Sequence, residues 1–485
     1  MNAVARILDL PAESSDEWPL ALWDANSVAS VTRGTANAGF QLSGVEIDSR
    51  DVVPGDLFFA LKGESMDGHR FVESAFAKGA AAAVVDRPVD GPHVLVKDTT
   101  AALLSLGTAA RARSEAKIIG VTGSVGKTGV KEAIFAALDR SSRGAAHRSV
   151  KSYNNHVGVP LSLARMSARS RFGIFEMGMN HAGEIAALTR QVRPHVAVIT
   201  TIAPAHIEML GSEEAIADAK AEIFEGLEPG GVAVIPADSP HFERLKARAE
   251  SLGAEVVAFG RAVHADVRLI DAVPAPGGGS LVTADMGDRR LCYTVAAPGD
   301  HWVANSLAVM AAVRAVGGDL GAAGLALAEM EGLAGRGARM EIAAKDGKAL
   351  LIDESYNANP ASMRATLAQL GATPAKRRIA VLGSMKELGS HGPAFHAELA
   401  GPIMAAKVDF AILVGDEMAA LSEELGKSAG HSLGKAIRFA HCRNPEEAQN
   451  ALAEFGLESG DAVLVKGSNS VGLDAMVAAL SGKDD

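Results

Sequence analysis

Cysteine is nearly absent from this chain, whose 485 residues include only Cys292 and Cys442, far apart and outside any C-x-x-C motif. That scarcity excludes a disulfide framework and suits a reducing compartment. Long apolar runs are also missing, so no segment has the length of a membrane span. The N-terminus lacks the basic region and apolar run of a signal peptide. These absences predict a cytoplasmic protein without membrane insertion.

The chain also lacks an excess of positive charge, with 47 lysines and arginines against 58 aspartates and glutamates and a net charge of −11. Such a surface does not neutralise a nucleic acid or an anionic membrane, so no nucleic-acid partner is expected. Any phosphate ligand must therefore be held locally, by a loop and a metal ion. The length predicts two to four domains.

A glycine-bracketed loop offers such a local site, between a strand-like apolar run and a helical stretch at 131–138. Backbone N–H groups of such loops converge on phosphates, Lys127 can reach the outer phosphates, and the Thr128 hydroxyl suits Mg²⁺. The eight-residue phosphate-loop pattern fails, because its first position falls on Val121. The alternative is a glycine-rich turn with a chance Lys-Thr after it. We predict nucleotide binding by the loop residues Thr122, Gly123, Ser124, Val125, Gly126, Lys127 and Thr128.

Strands and helices alternate along most of the chain, which is typical of mostly parallel sheets covered on both faces. We predict an α/β fold of three domains: a small N-terminal α/β domain (1–112), a central mostly parallel P-loop-type ATPase sheet (113–335) and a C-terminal Rossmann-like domain (336–485). The segment 265–298 indicates a hairpin-rich appendage, and three glycines in 332–337 indicate a hinge. The strands predicted for the last two domains are 117–121, 171–176, 195–201, 231–235, 255–259, 349–353, 378–382, 409–414 and 462–466.

Polar residues follow several of these strands, at the carboxyl ends where ligands bind in such sheets. Glu176 follows a buried strand beside the phosphate loop and is either a Mg²⁺ ligand or a solvated loop glutamate. His206 follows the strand at 195–201 and is either functional or a satisfied loop histidine. The polar run 353–360 and the stretch 465–468 follow strands of the third domain. Both would face the nucleotide if that domain folds onto the central one.

Lys220 lies on the apolar face of a helix predicted to begin near Ser212, in line with Ile216, Ile223 and Leu227. Burial disfavours an ammonium, lowers its pKa and makes the neutral amine available. A neutral amine can take up CO₂ to form a carbamate, which is an anionic oxygen ligand for Mg²⁺. The alternative is a lysine that extends past the stripe to water. The sequence leaves both open.

Together these motifs resemble those of the Mur ligases of peptidoglycan synthesis, from about Gly44 to Leu473. Asp353–Pro360 and Lys466–Ser468 resemble the branch of the family that adds a D-alanyl-D-alanine dipeptide. The Asp-Asn-Pro-Arg motif of the sister ligase, which adds diaminopimelate or lysine, is absent, and this absence supports the same branch. The segments that carry the resemblance are Thr122–Thr128, Tyr153–Pro160, Glu176–Gly178, Ala205–Glu208, Ala219–Ile223, Asp353–Pro360 and Lys466–Ser468.

The resemblance implies an ATP-dependent ligase that joins D-alanyl-D-alanine to UDP-N-acetylmuramoyl-tripeptide through an acyl phosphate. The N-terminal domain would bind the uridine end of the substrate, the central domain ATP, and the C-terminal domain would close over the nucleotide. Lys127 would hold the phosphates, Thr128 and Glu176 one Mg²⁺, and His206 with a carbamylated Lys220 a second. The resemblance implies that Asn305 contacts the adenine and that Arg336 and Asp353 make further nucleotide contacts. Substrate contacts are implied for Ser49, Arg50, Asp67, His69, Asn154, Asn155, Asn357, Asn359 and Lys466.

Three positions depart from the family pattern without removing an implied metal ligand. Gly129 stands where Ser or Thr is more frequent, Thr201 where Asn is common, and Asn469 where Arg usually follows Lys-Gly-Ser. Two alternatives remain: another amide ligase of the superfamily, such as a folylpolyglutamate synthase, or a non-catalytic binding protein on the same fold. A non-catalytic protein would be expected to have lost Lys127, Glu176 or Lys220, and all three are present. We expect a monomer.

Overall fold

Three sheets of five or more strands organise the described part of the chain in the computed structural model, which describes residues 21–63, 66–205, 207–276, 278–330, 332–429 and 437–482. One compact unit comprises the residues up to Arg113 together with Leu163–Ala168, and the other comprises Ser114–Ser162 together with the residues from Arg169 onward. A five-stranded sheet lies in the first unit, and a nine-stranded and a six-stranded sheet lie in the second. The predicted α/β class with mostly parallel sheets is confirmed.

The sheet of the first unit has strand order β2-β7-β6-β5-β4 and is parallel except at β2, with a separate β1–β3 pair. A small core that includes Phe58, Val72 and Val85 supports it. The strand that starts at Gly44 ends at Glu46, because the Glu46 carboxylate accepts hydrogen bonds from the next two backbone N–H groups and turns the chain. The elements are β1 (Trp23–Asp24), α1 (Ala25–Thr32), β2 (Thr35–Ala36), β3 (Gln41–Leu42), β4 (Gly44–Glu46), β5 (Asp56–Phe59), α2 (Val72–Ala77), β6 (Ala82–Val85), β7 (His93–Leu95) and α3 (Thr99–Ala112).

The nine-stranded sheet carries the phosphate loop on the interior strand β8, which lies between β11 and β10. All five strands predicted for this region are present, and the short edge strand β9 is an addition. The elements are β8 (Lys117–Thr122), α4 (Lys127–Ser142), β9 (Ala146–Arg148), α5 (Gly158–Ala164), β10 (Phe172–Glu176), α6 (Glu184–Val192), β11 (Val196–Ile199), α7 (Ile207–Leu210), α8 (Glu213–Ala221), β12 (Val232–Pro236), α9 (Phe242–Ser251), β13 (Glu255–Gly260), β14 (Val267–Pro274), β15 (Ser280–Asp285), β16 (Arg290–Val295), α10 (Asp300–Ala315) and α11 (Leu320–Glu329).

The segment 265–298 is hairpin-rich as predicted, but it is not an appendage. Strand β14 pairs in parallel with β13, and β15 and β16 then extend the same sheet in antiparallel fashion. The inward side chains Val267, Val282 and Tyr293 are buried in the same core as α4 and α10. That burial explains why the hairpins continue the sheet.

The helix that carries Lys220 is shorter than predicted. Helix α8 ends at Ala221, a 3₁₀ turn follows at Glu222–Gly226, and Leu227 lies beyond it. The prediction of one continuous apolar helix face through Leu227 is therefore wrong. The Thr189 hydroxyl donates to the Ile223 carbonyl at 2.8 Å, which holds the turn in place.

The six-stranded sheet has strand order β17-β18-β22-β19-β20-β21 and is parallel except for the β17–β18 hairpin. All four predicted strands are present, and β17 and β21 are edge strands that the sequence did not reveal. The elements are β17 (Ala338–Ala344), β18 (Gly347–Glu354), α12 (Pro360–Ala372), β19 (Arg378–Gly383), α13 (Gly392–Ala397), α14 (Ala400–Ala405), β20 (Phe410–Val414), α15 (Ala419–Ala429), β21 (Arg438–Cys442), α16 (Pro445–Phe455), β22 (Ala462–Lys466) and α17 (Leu473–Ser481). Within the described ranges, none of the helices combines the length and the apolar character needed to cross a bilayer.

Candidate active site

A cavity of about 260 Å³ in the second unit is lined by residues of both its sheets. It adjoins the carboxyl ends of β8 and β10, where ligands bind in parallel sheets. The structure thus brings together many of the residues singled out from the sequence. Those that line the cavity are Ser124, Val125, Gly126, Lys127, Asn154, Glu176, Lys220, Asn305, Arg336, Asn357, Asn359 and Lys466.

The phosphate loop joins β8 to α4, and Gly126 is the N-cap residue directly before the helix. Its φ of 88° lies in the left-handed region that glycine tolerates, and a Cβ there would lie 3.0 Å from the Asn305 amide. The Lys127 ammonium donates to the Gly123 carbonyl at 2.8 Å. Burial lowers the pKa of Lys127, and nearby Glu176 partly opposes that shift. The loop therefore holds a cation at the N-terminus of a helix, which is a suitable site for phosphate.

Glu176 is fully buried at the end of β10, so the alternative of a solvated loop glutamate does not hold. Its carboxylate accepts a hydrogen bond from the Thr128 hydroxyl at 2.8 Å and another from the Asn154 amide at 2.8 Å. A carboxylate beside a hydroxyl is a hard oxygen pair of the kind that Mg²⁺ prefers. Within the described part of the chain, no group of three or more His, Cys, Asp or Glu side chains is arranged to hold a metal. His206 lies outside the described residues.

Lys220 is only 2% exposed, so its head group does not reach bulk water, and it lines the cavity instead. Burial lowers the pKa of Lys220 well below its usual value, and the neighbouring cation Lys127 lowers it further. A buried amine beside a second cation is more readily neutral than a surface lysine.

Helix α10 closes another side of the cavity with His301, Trp302 and Asn305 from its first turns. Burial is the main cause that lowers the pKa of His301 to about 4, so its imidazole is neutral at physiological pH. Sequence reasoning assigned a role to Asn305 but missed the two aromatic residues before it. Both lie in the first turn of the helix that carries Asn305, and this proximity in the sequence could have indicated that they also line the site.

The six-stranded sheet contributes cations to the cavity. The Arg336 guanidinium lies 4.2 Å from the centre of the Tyr356 ring and donates to the Ser152 hydroxyl at 3.3 Å. The Lys466 ammonium donates to the Asn357 carbonyl at 2.8 Å and lies 3.5 Å from the Glu354 carboxylate. Burial lowers the pKa of Lys466 as well. Glu354 and Tyr356 belong to the polar run 353–360 that was predicted to face the nucleotide, although neither was assigned a role of its own, and Ser152 was not foreseen.

Some of the selected residues of the second unit are not part of the cavity lining. The Asp353 carboxylate accepts hydrogen bonds from the Gly335 N–H at 2.6 Å and from the Ser355 hydroxyl at 2.6 Å. Asn155 accepts from the backbone N–H groups of residues 157 and 158 at the start of α5. Both side chains hold neighbouring backbone in place. The remaining such residues belong to the phosphate loop itself: Thr122, Gly123 and Thr128.

The residues assigned to the uridine end of the substrate lie in the first unit. Ser49 is buried, and the exposed Arg50 guanidinium pairs with Asp48 at 2.6 Å. His69 has a buried side chain whose Nδ1 lies 2.7 Å from the Asp67 carboxylate, and its Nε2 accepts from a backbone N–H. A hydrogen bond from Arg87 holds the pKa of Asp67 well below its usual range.

Comparison with known proteins identifies the family. Family models match residues 41–140 (Mur ligase family, catalytic domain), 121–313 (Mur ligase middle domain) and 338–469 (Mur ligase, glutamate ligase domain). The chain is 36% identical over 457 residues to UDP-N-acetylmuramoyl-tripeptide–D-alanyl-D-alanine ligase of Synechocystis sp., which covers 91% of this chain and 92% of that protein. The chain belongs to the Mur ligase family.

Solved structures of Mur ligases agree with this assignment. MurF from Acinetobacter baumannii is 28% identical, with a TM-score of 0.79 and coverage of 95% of this chain and 99% of that one. MurF ligase from Thermotoga maritima in complex with ADP is 26% identical, with a TM-score of 0.72 and coverage of 91% and 97%. The chain is therefore an ATP-dependent ligase, as the resemblance implied.

Proposed function

We propose that this Mur ligase joins the amine of D-alanyl-D-alanine to the terminal carboxylate of UDP-N-acetylmuramoyl-tripeptide in the cytoplasm. The observation that carries the proposal is the convergence of Lys127, Glu176 and Lys220 on one cavity lined by two sheets. Relatives named UDP-N-acetylmuramoyl-tripeptide–D-alanyl-D-alanine ligase match over most of the chain, which supports the choice of substrates. A non-catalytic protein would have no need for these three buried or half-buried charges.

Residues in and directly beside the cavity fit Mg²⁺. Thr128 and Glu176 supply a hydroxyl and a buried carboxylate 2.8 Å apart, and ATP would provide further oxygen ligands. The resemblance to the family implies a second ion, which His206 and a carbamylated Lys220 would hold. When bound, Mg²⁺ would neutralise charge on the phosphates.

A carbamate on Lys220 would resolve an electrostatic conflict in the cavity. As an ammonium, Lys220 would add a second cation beside Lys127 and repel a metal ion. The lowered pKa makes a neutral amine available, and its reaction with CO₂ would form an N–C bond and release one proton, which leaves an anionic carbamate ligand. This chemistry is closed to arginine, which stays cationic.

The reaction proceeds in two stages on this geometry. The Lys127 ammonium, now on the Gly123 carbonyl, turns to the γ-phosphate and stabilises charge as the tripeptide carboxylate attacks phosphorus and ADP leaves. The neutral amine of D-alanyl-D-alanine then attacks the acyl carbon to form the C–N bond, and the tetrahedral intermediate breaks its C–O bond to phosphate, which departs with the amine's proton. Arg336 and Lys466 bring further positive charge from the other sheet. Closure between the sheets would exclude water, which would otherwise hydrolyse the acyl phosphate.

For the uridine end of the substrate, Ser49 and Arg50 are the stronger candidates in the first unit. Asp67 and His69 bind one another, and Asp67 also binds Arg87 at 2.7 Å. Those contacts suit a role in holding the loop that carries them. We also propose that the three domains comprise residues 1–112, 113–335 and 336–485.

A phosphate-release assay tests the proposed function. With UDP-N-acetylmuramoyl-tripeptide, ATP and Mg²⁺, release should depend on added D-alanyl-D-alanine and yield the pentapeptide product by mass spectrometry. Release that requires a folate and glutamate instead would support the folylpolyglutamate synthase alternative. No release with any acceptor from a protein that binds ADP would indicate a non-catalytic binding protein.

A further inference from the structure

Gly129 and Trp302 form a close contact between the phosphate-loop helix and α10. Gly129 is the third residue of α4, and a Cβ at this position would lie 2.7 Å from Trp302 Cη2 and 3.0 Å from Cζ2. Even the methyl group of alanine therefore collides with the six-membered ring of the indole. The serine or threonine more frequent at this position in the family would collide in the same way.

The indole is placed where a ligand can reach it. Trp302 packs partly against the hydrophobic core around α4 and α10, and it also lines the cavity together with Gly129. One turn further along α10, the Asn305 amide lies over Gly126 of the phosphate loop. Helix α10 thus covers the first turn of α4, directly beside the site for the phosphates.

Other aromatic rings in the cavity are less suited to hold a second flat ring. The Tyr356 ring is already covered by the Arg336 guanidinium at 4.2 Å. The His301 imidazole is smaller, and its centroid lies 6.3 Å from that of Trp302 with the two planes tilted by 46°. Trp302 therefore offers the large apolar ring surface of this cavity.

We propose that Trp302 is the stacking platform for the nucleobase of ATP and that the absence of a side chain at Gly129 is what seats it. The inference deepens the proposed function, since it rests on ATP binding in this cavity. A base attached to phosphates on the loop would lie across the start of α4, where the indole is found. Stacking energy grows with ring area, so the platform favours purine over pyrimidine nucleotides.

Tryptophan fluorescence of the full-length protein reports on this contact directly. ADP with Mg²⁺ should quench the emission of the unmodified protein, and Trp302→Phe should lose that quenching while binding ADP within about threefold by calorimetry. Trp302→Ala should bind ADP about tenfold more weakly and lose most of its preference for ADP over CDP. Quenching that persists in Trp302→Phe, or an unchanged preference in Trp302→Ala, would overturn the proposal. Failure of the unmodified protein to bind ADP would instead refute the ATP site itself.

The glycine provides a second test. Gly129→Ser should weaken ADP binding, and the Gly129→Ser/Trp302→Ala pair should bind no more weakly than Trp302→Ala alone, because the collision is then removed. Gly401→Ser is the matched control, since Gly401 is a helical glycine with no atom within 4 Å of an added Cβ. Fully additive losses in the double variant would contradict a direct link between the two residues. If Gly129→Ser does not fold, the Trp302 variants alone decide.

Discussion

At the scale of single residues, burial gives two lysines of this molecule opposite roles. Lys131 is fully buried, and its ammonium donates to two backbone carbonyls and pairs with Glu132. Lys220 is almost as buried, but the neighbouring charge that acts on it is another lysine. The first arrangement stabilises a cation and suits a structural role. The second arrangement, at Lys220, destabilises a cation and suits a reaction of the neutral amine.

The carbamate proposal predicts a specific pattern of activity at Lys220. Lys220→Ala should be nearly inactive, because the anionic ligand is lost, and millimolar acetate should restore part of the activity by filling the vacated space. Lys220→Arg should stay inactive with or without acetate. Steady-state phosphate release measures the activity of Lys220→Ala without acetate, of Lys220→Ala with acetate, and of Lys220→Arg. Near-normal turnover of Lys220→Arg would show that no carbamate is needed.

The lowered pKa of Lys220 also predicts how stability depends on pH. In the unfolded chain this lysine titrates near 10.5, and in the folded protein its pKa is lower, so the unfolded state binds more protons between the two values. The cost of burying the ammonium is therefore complete below the folded-state pKa and disappears as the pH rises toward 10.5. Lys220→Met should raise the urea midpoint at pH 7 in CO₂-free buffer, and the gain should shrink by pH 10. A gain independent of pH would contradict this reading, and Lys117→Met, at an exposed position, is the control.

Lys131 should be essential to the loop that follows β9. Its ammonium binds the carbonyls of Ser149 at 2.9 Å and Lys151 at 2.8 Å, and Lys151 has a strained φ of 53°. Lys131→Met would leave these carbonyls without a donor and should lower the free energy of unfolding by about 3 kcal/mol. Urea denaturation measures the change, again with Lys117→Met for comparison. Equal midpoints for the two variants would rule out the anchoring role.

At the scale of elements, the loop between α11 and β17 brings Arg336 to the cavity, and β18 holds that loop. The Asp353 carboxylate at the end of β18 accepts the Gly335 N–H at 2.6 Å, and Arg336 follows directly. The sequence implied a nucleotide contact for Asp353, whereas the contacts in the structure suit a residue that positions Arg336. These two roles differ in how mutations combine.

A double-mutant cycle separates the two roles of Asp353. If it positions Arg336, Asp353→Ala should raise the KM for ATP severalfold, and adding it to Arg336→Ala should cause little further loss. Steady-state kinetics with varied ATP measures the coupling. Glu341→Ala, on the exposed side of β17, is the control. Additive losses would indicate that Asp353 touches the nucleotide itself.

At the scale of the whole molecule, the size of the cavity implies movement between the sheets of the second unit. Its volume of about 260 Å³ falls below the roughly 300–1,000 Å³ typical of small-molecule sites. ATP entry should therefore require the six-stranded sheet to move away from the nine-stranded one, so we expect the free enzyme to sample open forms in solution and to close again once its ligands are bound. The glycine-rich loop at 332–337, predicted as a hinge, joins the two.

Small-angle scattering tests this movement. Adding ATP analogue, Mg²⁺ and UDP-N-acetylmuramoyl-tripeptide together should reduce the radius of gyration, because the ligands hold both sheets around the cavity. Lys127→Ala, which should bind phosphates poorly, is expected to show a smaller change under the same conditions. An unchanged radius for the unmodified protein at saturating ligand would argue against a mobile hinge.

Local sequence patterns determined the strands and the phosphate loop. Apolar runs such as those of β8 and β10 specify buried parallel strands by themselves, and the glycines with Lys127 and Thr128 specify the turn between β8 and α4. The carboxyl-end rule for parallel sheets then placed Glu176 near the loop, where the structure has it. These features depend on neighbours in the chain, which the sequence displays directly.

Only the tertiary structure decided the contacts between distant segments. The end of α8 before Leu227, the continuation of the sheet through β14 and the seat of Trp302 on Gly129 each depend on side chains brought together by packing. Burial of Lys220 is decided in the same way, because an apolar helix face is equally compatible with a lysine that reaches water. Propensity and periodicity act over a few residues, whereas close packing selects partners across the whole fold.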